Sequence, residues 1–122
     1  MKDTHIILAF DIGTQSTRAL LISSEGEIIA KAQKGHHPAY ISKQSGWAEQ
    51  DPDFYYKNMC RVSKQLKESF PEEFAKVEAV TLTTIRCTSV CLGRDGKPLR
   101  PAILWLDQRR AKGRPKLNRC VA

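Results

Sequence analysis

His5-Ile6-Ile7-Leu8-Ala9-Phe10-Asp11-Ile12-Gly13-Thr14-Gln15-Ser16-Thr17-Arg18 decides how the chain is read. An apolar run ends on a carboxylate, a glycine and hydroxyl or amide side chains follow, and a cation closes the stretch. That order places an acid at the mouth of a strand, beside a tight turn rich in hydrogen-bond donors. Gly13 is expected to let the backbone approach a ligand and to adopt φ values that a side chain would penalise. Thr14, Gln15, Ser16 and the turn amides can donate to phosphate oxygens, leaving Asp11 free to face a cation such as Mg²⁺ through water. The turn runs into a second strand, Thr17 to Ser23, rather than into a helix. The G-x-x-x-x-G-K-[ST] signature is absent, which excludes a P-loop. Asp-x-Gly-Thr after an apolar run is also an ordinary hairpin turn, so the rest of the chain has to decide.

A length of 122 residues allows one domain with a modest core. With 41% hydrophobic and 27% charged residues, the composition is that of an ordinary globular protein. No apolar run is long enough for a membrane helix, and no export signal precedes the first strand. The expectation is a cytoplasmic protein with reduced thiols at Cys60, Cys87, Cys91 and Cys120, most of them buried as small apolar residues. Their spacing does not suit a zinc finger. The net charge of +7 is concentrated late, in Arg100, Arg109, Arg110, Lys112, Arg114, Lys116 and Arg119. No aromatic residue follows Trp105 to stack on bases, so nucleic-acid binding is not expected.

Residues 5–11, 16–23 and 28–32 read as an antiparallel meander. Residues 34–50 lack periodicity and contain Gly, Pro and Ser, which predicts a long, functional loop. Asp51-Pro52 is a helix start, with Asp as cap and Pro at the first helical position. Tyr55, Met59, Val62, Leu66 and Phe70 then recur at helical spacing as a core stripe. Pro71 ends this helix, and Glu72 to Lys76 allow one short further turn. Val77 to Thr84 alternates as a strand. Short strands are expected at Thr88–Leu92 and Pro98–Trp105, and a last helix from Gln108 onward, capped by Asp107. The order predicts a mixed sheet with helices packed on it.

Three segments then resemble one family. Phe10 to Arg18 resembles the first phosphate motif of the FGGY carbohydrate kinases. Gly46-Trp47-Ala48-Glu49-Gln50-Asp51-Pro52 is similar to their Gly-Trp-x-Glu-x-(Asp/Asn)-Pro helix start. Leu99 to Arg110 is similar to their Pro-x-Ile-x-Trp-x-Asp-x-Arg segment. Together they cover roughly residues 5–112, in the family's order. The resemblance implies an α/β chain of actin-like ATPase (ribonuclease-H-like) fold, here the N-terminal part of the first kinase domain over residues 1–122, with the second domain absent. It implies ATP-dependent phosphorylation of a sugar or polyol hydroxyl, with ATP and Mg²⁺ as cofactors. Carried over, Asp11 binds Mg²⁺ through water, while Gly13, Thr14, Gln15, Ser16 and Arg18 hold phosphate. Trp105 forms an apolar wall against the substrate, supported by Asp107 and Arg109. Trp47 packs at the helix start.

The substrate-facing dipeptide is Arg-Glu in glycerol kinases and Met-His in xylulokinases. Here it is Arg86-Cys87, and a thiol is a weak hydrogen-bond partner, so the substrate stays unassigned. Ala102-Ile103-Leu104-Trp105 leans towards the xylulokinase-like members. The family's catalytic base lies beyond residue 122, so no catalytic residue is expected in this chain and the chain alone is expected to be inactive. Apolar surface left open favours a homo-oligomer. Other actin-like phosphotransferases share the Asp-x-Gly-Thr turn but not the other two segments. A non-catalytic nucleotide-binding or oligomerisation module of the same fold is the alternative.

Overall fold

The computed structural model describes residues 5–109. Strands β1 (Ile6–Ile12), β2 (Ser16–Ser23) and β3 (Ile28–Gly35) form the meander. After a two-residue strand β4 (Glu49–Gln50), helix α1 (Asp53–Ser69) and the single turn α2 (Pro71–Phe74) lead to β5 (Val77–Thr83), and β6 (Ala102–Ile103) comes last. The main sheet has the order β3-β2-β1-β5, with β5 parallel to β1 and the other neighbours antiparallel. A parallel neighbour requires a crossover, and α1 supplies it.

Alternation sorts the side chains of β1 and β2. Ile6, Leu8, Phe10 and Ile12 bury against α1, as do Ala19 and Leu21 of β2 and Ala30 and Ala32 of β3. Val62 and Leu66 complete this core, while Tyr55, Met59 and Phe70 pack at its edge. The stripe read from the sequence is therefore the packing face of α1. On the opposite face of the sheet, Asp11, Arg18 and Gln33 lie side by side across three strands. Period-two alternation puts them there as surely as it buries Phe10.

Helix α1 lies over β2 and β3. Val80 and Leu82 share a face with Leu8 and Phe10 by register, yet they are 61% and 53% exposed. The start of α1 is shifted by one residue from expectation. Pro52 occupies the cap position, and the Asp51 carboxylate accepts the Asp53 amide at 3.0 Å.

Two local expectations change. Residues 34–50 are not one irregular loop. β3 runs on to Gly35, Ile41 bridges to Glu49, and β4 pairs with β6; the His37-Pro38 bond is cis. The strands expected at Thr88–Leu92 and Pro98–Trp105 reduce to β6 and the bridges Ser89–Ile103 and Leu92–Pro98. Pro98 and Pro101 interrupt any longer ladder because each lacks an amide donor. The helix expected from Gln108 does not begin at Gln108 or Arg109, which belong to neither helix nor strand, and the rest of that segment lies outside the described residues.

Candidate active site

The turn between β1 and β2 closes with the Gly13 amide donating to the Ser16 carbonyl at 2.9 Å. Its carbonyls are engaged from behind. Thr14 O accepts from the His36 ring at 3.0 Å and from the Gln50 side-chain amide at 2.9 Å, while Gln15 O accepts the His36 amide at 2.8 Å. In front, no acceptor among the described residues meets the Thr14 or Gln15 amide. Carbonyls tied inward and amides left outward make a concavity suited to an anion. Gly13 serves this differently from expectation. Its φ is not in the left-handed region, and a Cβ there would sit 3.4 Å from Ser16 O, an ordinary contact. What its missing side chain leaves is room for a ligand.

An open cavity of about 600 Å³ lies in front of the turn, lined by Asp11, Thr14, Ser16, Arg18, His37 and Trp105, among others. Asp11 pairs with Arg18 at 3.5 Å, both side chains being about half exposed. A smaller cavity of about 390 Å³ is lined by Ile85, Arg86, Cys87 and Trp105. Cys87 has φ of 55°, a left-handed conformation unusual for a residue with a Cβ, in the loop after β5. Trp105 is common to both cavities. It donates from its indole nitrogen to Thr14 Oγ1 at 3.1 Å and keeps 57% of its surface exposed.

Asp107 lines neither cavity. Its side chain is 1% exposed, and its oxygens accept from the Ala48 amide at 2.7 Å, the Arg109 amide at 3.0 Å and Arg109 Nε at 2.8 Å. The Arg109 side chain, followed by the Ala48 and Arg109 amides, holds this carboxyl well below the usual carboxylate range. Arg109 also bonds Glu49 at 2.9 Å and stacks over Trp47 at 3.9 Å. This cluster ties the segment that carries Trp105 to β4. Trp47 thus packs near the helix start, with a guanidinium as its partner.

Sequence reasoning missed the layer behind the turn. His36, Gln50 and Tyr55 are linked there, with the Tyr55 hydroxyl donating to Gln50 Oε1 at 2.6 Å and Gln50 Nε2 donating to Ala39 O as well as to Thr14 O. Burial pushes the Tyr55 phenol up to about 12. The signals were a His within a Gly/Pro-containing segment and a Gln two residues before Pro52, neither of which names a partner. The thiols are also placed differently from expectation: Cys60 and Cys87 are exposed and Cys91 is partly so. Cys60 falls on the solvent side of α1, and Cys87 belongs to the loop beside Trp105. Cys120 lies outside the described residues.

Residues 6–121 match the FGGY family of carbohydrate kinases, N-terminal domain. The chain belongs to the FGGY family of carbohydrate kinases. A glycerol kinase of Nitrosomonas eutropha is 38% identical over 110 residues, 89% of this chain and 22% of that relative. The crystal structure of xylulose kinase from Rhodospirillum rubrum superimposes with a TM-score of 0.80 at 30% identity, over 86% of this chain and 21% of that one. That of Plasmodium falciparum glycerol kinase with ADP gives 0.76 at 28%, over 87% and 21%. The chain thus spans about a fifth of the length of these relatives. The α/β mixed sheet is part of the actin-like fold of the FGGY kinases.

Among the described residues no group of three or more His, Cys, Asp or Glu side chains could hold a metal. Asp11, half exposed and beside the open turn, suits an ion held chiefly by water and phosphate oxygens, which is how Mg²⁺ is commonly bound. No described helix is long and apolar enough to cross a membrane.

Proposed function

We propose that this chain supplies the phosphate turn and one wall of the acceptor pocket for ATP-dependent phosphorylation of a sugar or polyol. The observation that carries the reading is Trp105. One side chain forms a wall of the cavity before the phosphate turn and of the pocket at Arg86 and Cys87, and it bonds to the turn itself. A phosphate donor in one cavity and a hydroxyl acceptor in the other would meet across it.

In this reading the Thr14 and Gln15 amides, with the Thr14 and Ser16 hydroxyls, bind phosphate oxygens. Arg18 neutralises phosphate charge and exchanges its Asp11 partner for the ligand. Asp11 would then hold Mg²⁺ through water, and the bound metal–nucleotide would supply the transferable phosphoryl group. Arg86 donates to an acceptor hydroxyl and the Trp105 ring covers the carbon chain. Asp107 acts indirectly, by holding the Trp105 segment. The smaller pocket is lined by Ile85, Arg86, Cys87 and Trp105, and among the described residues no carboxylate lines it to take the hydroxyl proton. Phosphoryl transfer needs all its positioning parts together, so the chain alone binds without turning over. The domain assignment to residues 1–122, the cytoplasmic location and the use of ATP and Mg²⁺ belong to this proposal.

The test has two arms. Titration of Mg-ADP into ¹⁵N-labelled chain should shift the Gly13 to Ser16 amides and quench Trp105. A coupled assay with glycerol, xylulose and gluconate should give no phosphorylation above a no-enzyme blank. Nucleotide that perturbs neither the turn nor Trp105 sinks the binding reading, and turnover overturns the prediction of inactivity. A second reading, a self-associating non-catalytic module, draws on the exposed Val80 and Leu82.

A further inference from the structure

We propose that His36, as its neutral Nδ1–H tautomer, is the positioning residue that sets the phosphate turn, and that protonating its ring releases the turn. The geometry is independent of the functional reading. Its purpose, presenting amides to phosphate, rests on that reading.

The partners dictate the tautomer. Thr14 O can only accept, so Nδ1, 3.0 Å away, must carry the proton. Nε2 then presents a lone pair, and Thr17 Oγ1 donates to it at 3.0 Å. Thr17 is fully buried and His36 nearly so. The backbone amide of His36 adds a third tie, to Gln15 O. One residue of the segment after β3 therefore grips the turn at Thr14 and Gln15 and the start of β2 at Thr17.

That grip determines which way the amides face. In a trans peptide the carbonyl and the following N–H point in opposite directions. Drawing Thr14 O inward aims the Gln15 N–H outward into the cavity. Gln50 supports the same carbonyl but does not reach Thr17.

Protonation reverses one contact. An imidazolium donates from both nitrogens, so Thr17 Oγ1 must become an acceptor and its own buried hydroxyl proton loses its partner, a costly state. Among the described residues only the Thr14 carbonyl favours the new charge. Phe54 of α1 meets it edge-on at 4.4 Å, Lys34 flanks it with like charge, and no carboxylate among the described residues bonds to it. Burial is the largest cause lowering the His36 pKa below 6.5, the Thr14 contact acts the other way, and His37 and Lys34 lower it further. The sign follows from the depressed value. The unfolded or released state binds the proton more readily, so the hold is complete above about pH 6.5 and is lost as pH falls through the lower folded value.

The ligand-free chain tests this by long-range ¹H–¹⁵N NMR of the His36 ring and a pH titration of the backbone amides. The expected result is an Nδ1–H tautomer at pH 7.5, a His36 midpoint below 6.5, and Thr14 and Gln15 amides that move with that same midpoint. An Nε2–H tautomer, or turn amides that ignore the His36 midpoint, overturns the proposal. His36→Asn retains a donor near Thr14 O and should abolish the titration while leaving the turn amides near their wild-type positions. His36→Leu should displace them at every pH and weaken Mg-pyrophosphate binding at pH 7.5 about two- to tenfold, the loss of one hydrogen bond. Unchanged turn amides, or unchanged binding, in His36→Leu also overturn the proposal. If that variant does not fold, the wild-type tautomer and midpoint still decide. If wild-type chain binds no pyrophosphate while the turn follows His36, the positioning role stands and the phosphate reading falls.

Discussion

Replacing Gln50 with alanine tests whether the layer behind the turn is structural support or incidental contact. Gln50 is 4% exposed, and its side chain meets Thr14 O, Ala39 O and the Tyr55 hydroxyl. In Gln50→Ala, Thr14 O keeps His36, but Ala39 O and the Tyr55 hydroxyl lose this partner. Both residues are only half-buried, so each loss is set near the lower end for unsatisfied groups, about 1 kcal/mol. Loss of one buried methylene adds about 0.8 kcal/mol, giving about 3 kcal/mol in all. For a chain of 122 residues, an unfolding entropy of about 2.1 cal/mol/K per residue converts 1 kcal/mol into about 4 °C. Thermal unfolding followed by circular dichroism should therefore show Tm lower by about 12 °C. Gln50→Glu sharpens the test because it keeps the shape. One oxygen still accepts from Tyr55, but the other faces two carbonyl oxygens and must be protonated to donate at all, its single proton serving only one of them. Its folded pKa is then raised, so its stability is present at acid pH and lost as pH rises through that value. A fall of less than about 3 °C in Gln50→Ala, or a Gln50→Glu as stable as wild type at pH 8, would refute the reasoning.

Leu66→Ala, at a side chain 1% exposed in the core, should cost about 2–5 kcal/mol in urea unfolding, against about 0.5 kcal/mol or less for Val80→Ser on the open face. A loss for Leu66→Ala no larger than for Val80→Ser would contradict the packing of α1. Val80→Lys with Leu82→Lys should shift light scattering towards monomer, since both replace exposed apolar surface with charge; a wild-type chain already monomeric at tens of micromolar removes the self-association reading. Asp107→Asn should loosen Ala48 and Arg109 and raise hydrogen exchange at the Ala48 amide. Because the Asp107 pKa is depressed, its contribution is present above the ordinary carboxylate range and lost as pH falls below it; identical acid unfolding of wild type and variant would count against that. Tyr55→Phe should remove the phenolate absorbance change near pH 12.

The readable parts of the fold were those set by local periodicity. The apolar run Ile6 to Phe10 named a buried strand, and the pairing of β1 with β2 then set Asp11 and Arg18 together on the face opposite Phe10. The 3.6-residue stripe named Val62 and Leu66. Shorter elements escaped, because β4 and β6 have two residues each, too few for a period to register. Cys60 was misjudged because residue type was weighed above its place on the helix surface.

By itself the sequence determined the meander, the amphipathic helix, the turn after Asp11 and the family, since each depends on neighbours along the chain or on motifs in order. Only the tertiary structure decided that Trp105 reaches Thr14 across 91 positions, that Asp107 is spent on Ala48 and Arg109, and that His36 and Gln50 hold the turn from behind. The physical reason is one of partners. A strand or helix pattern is written into the spacing of side chains, whereas a hydrogen bond between distant segments depends on how the crossover helix and the bridged loops bring them together, and nothing in the local sequence names the residue at the other end.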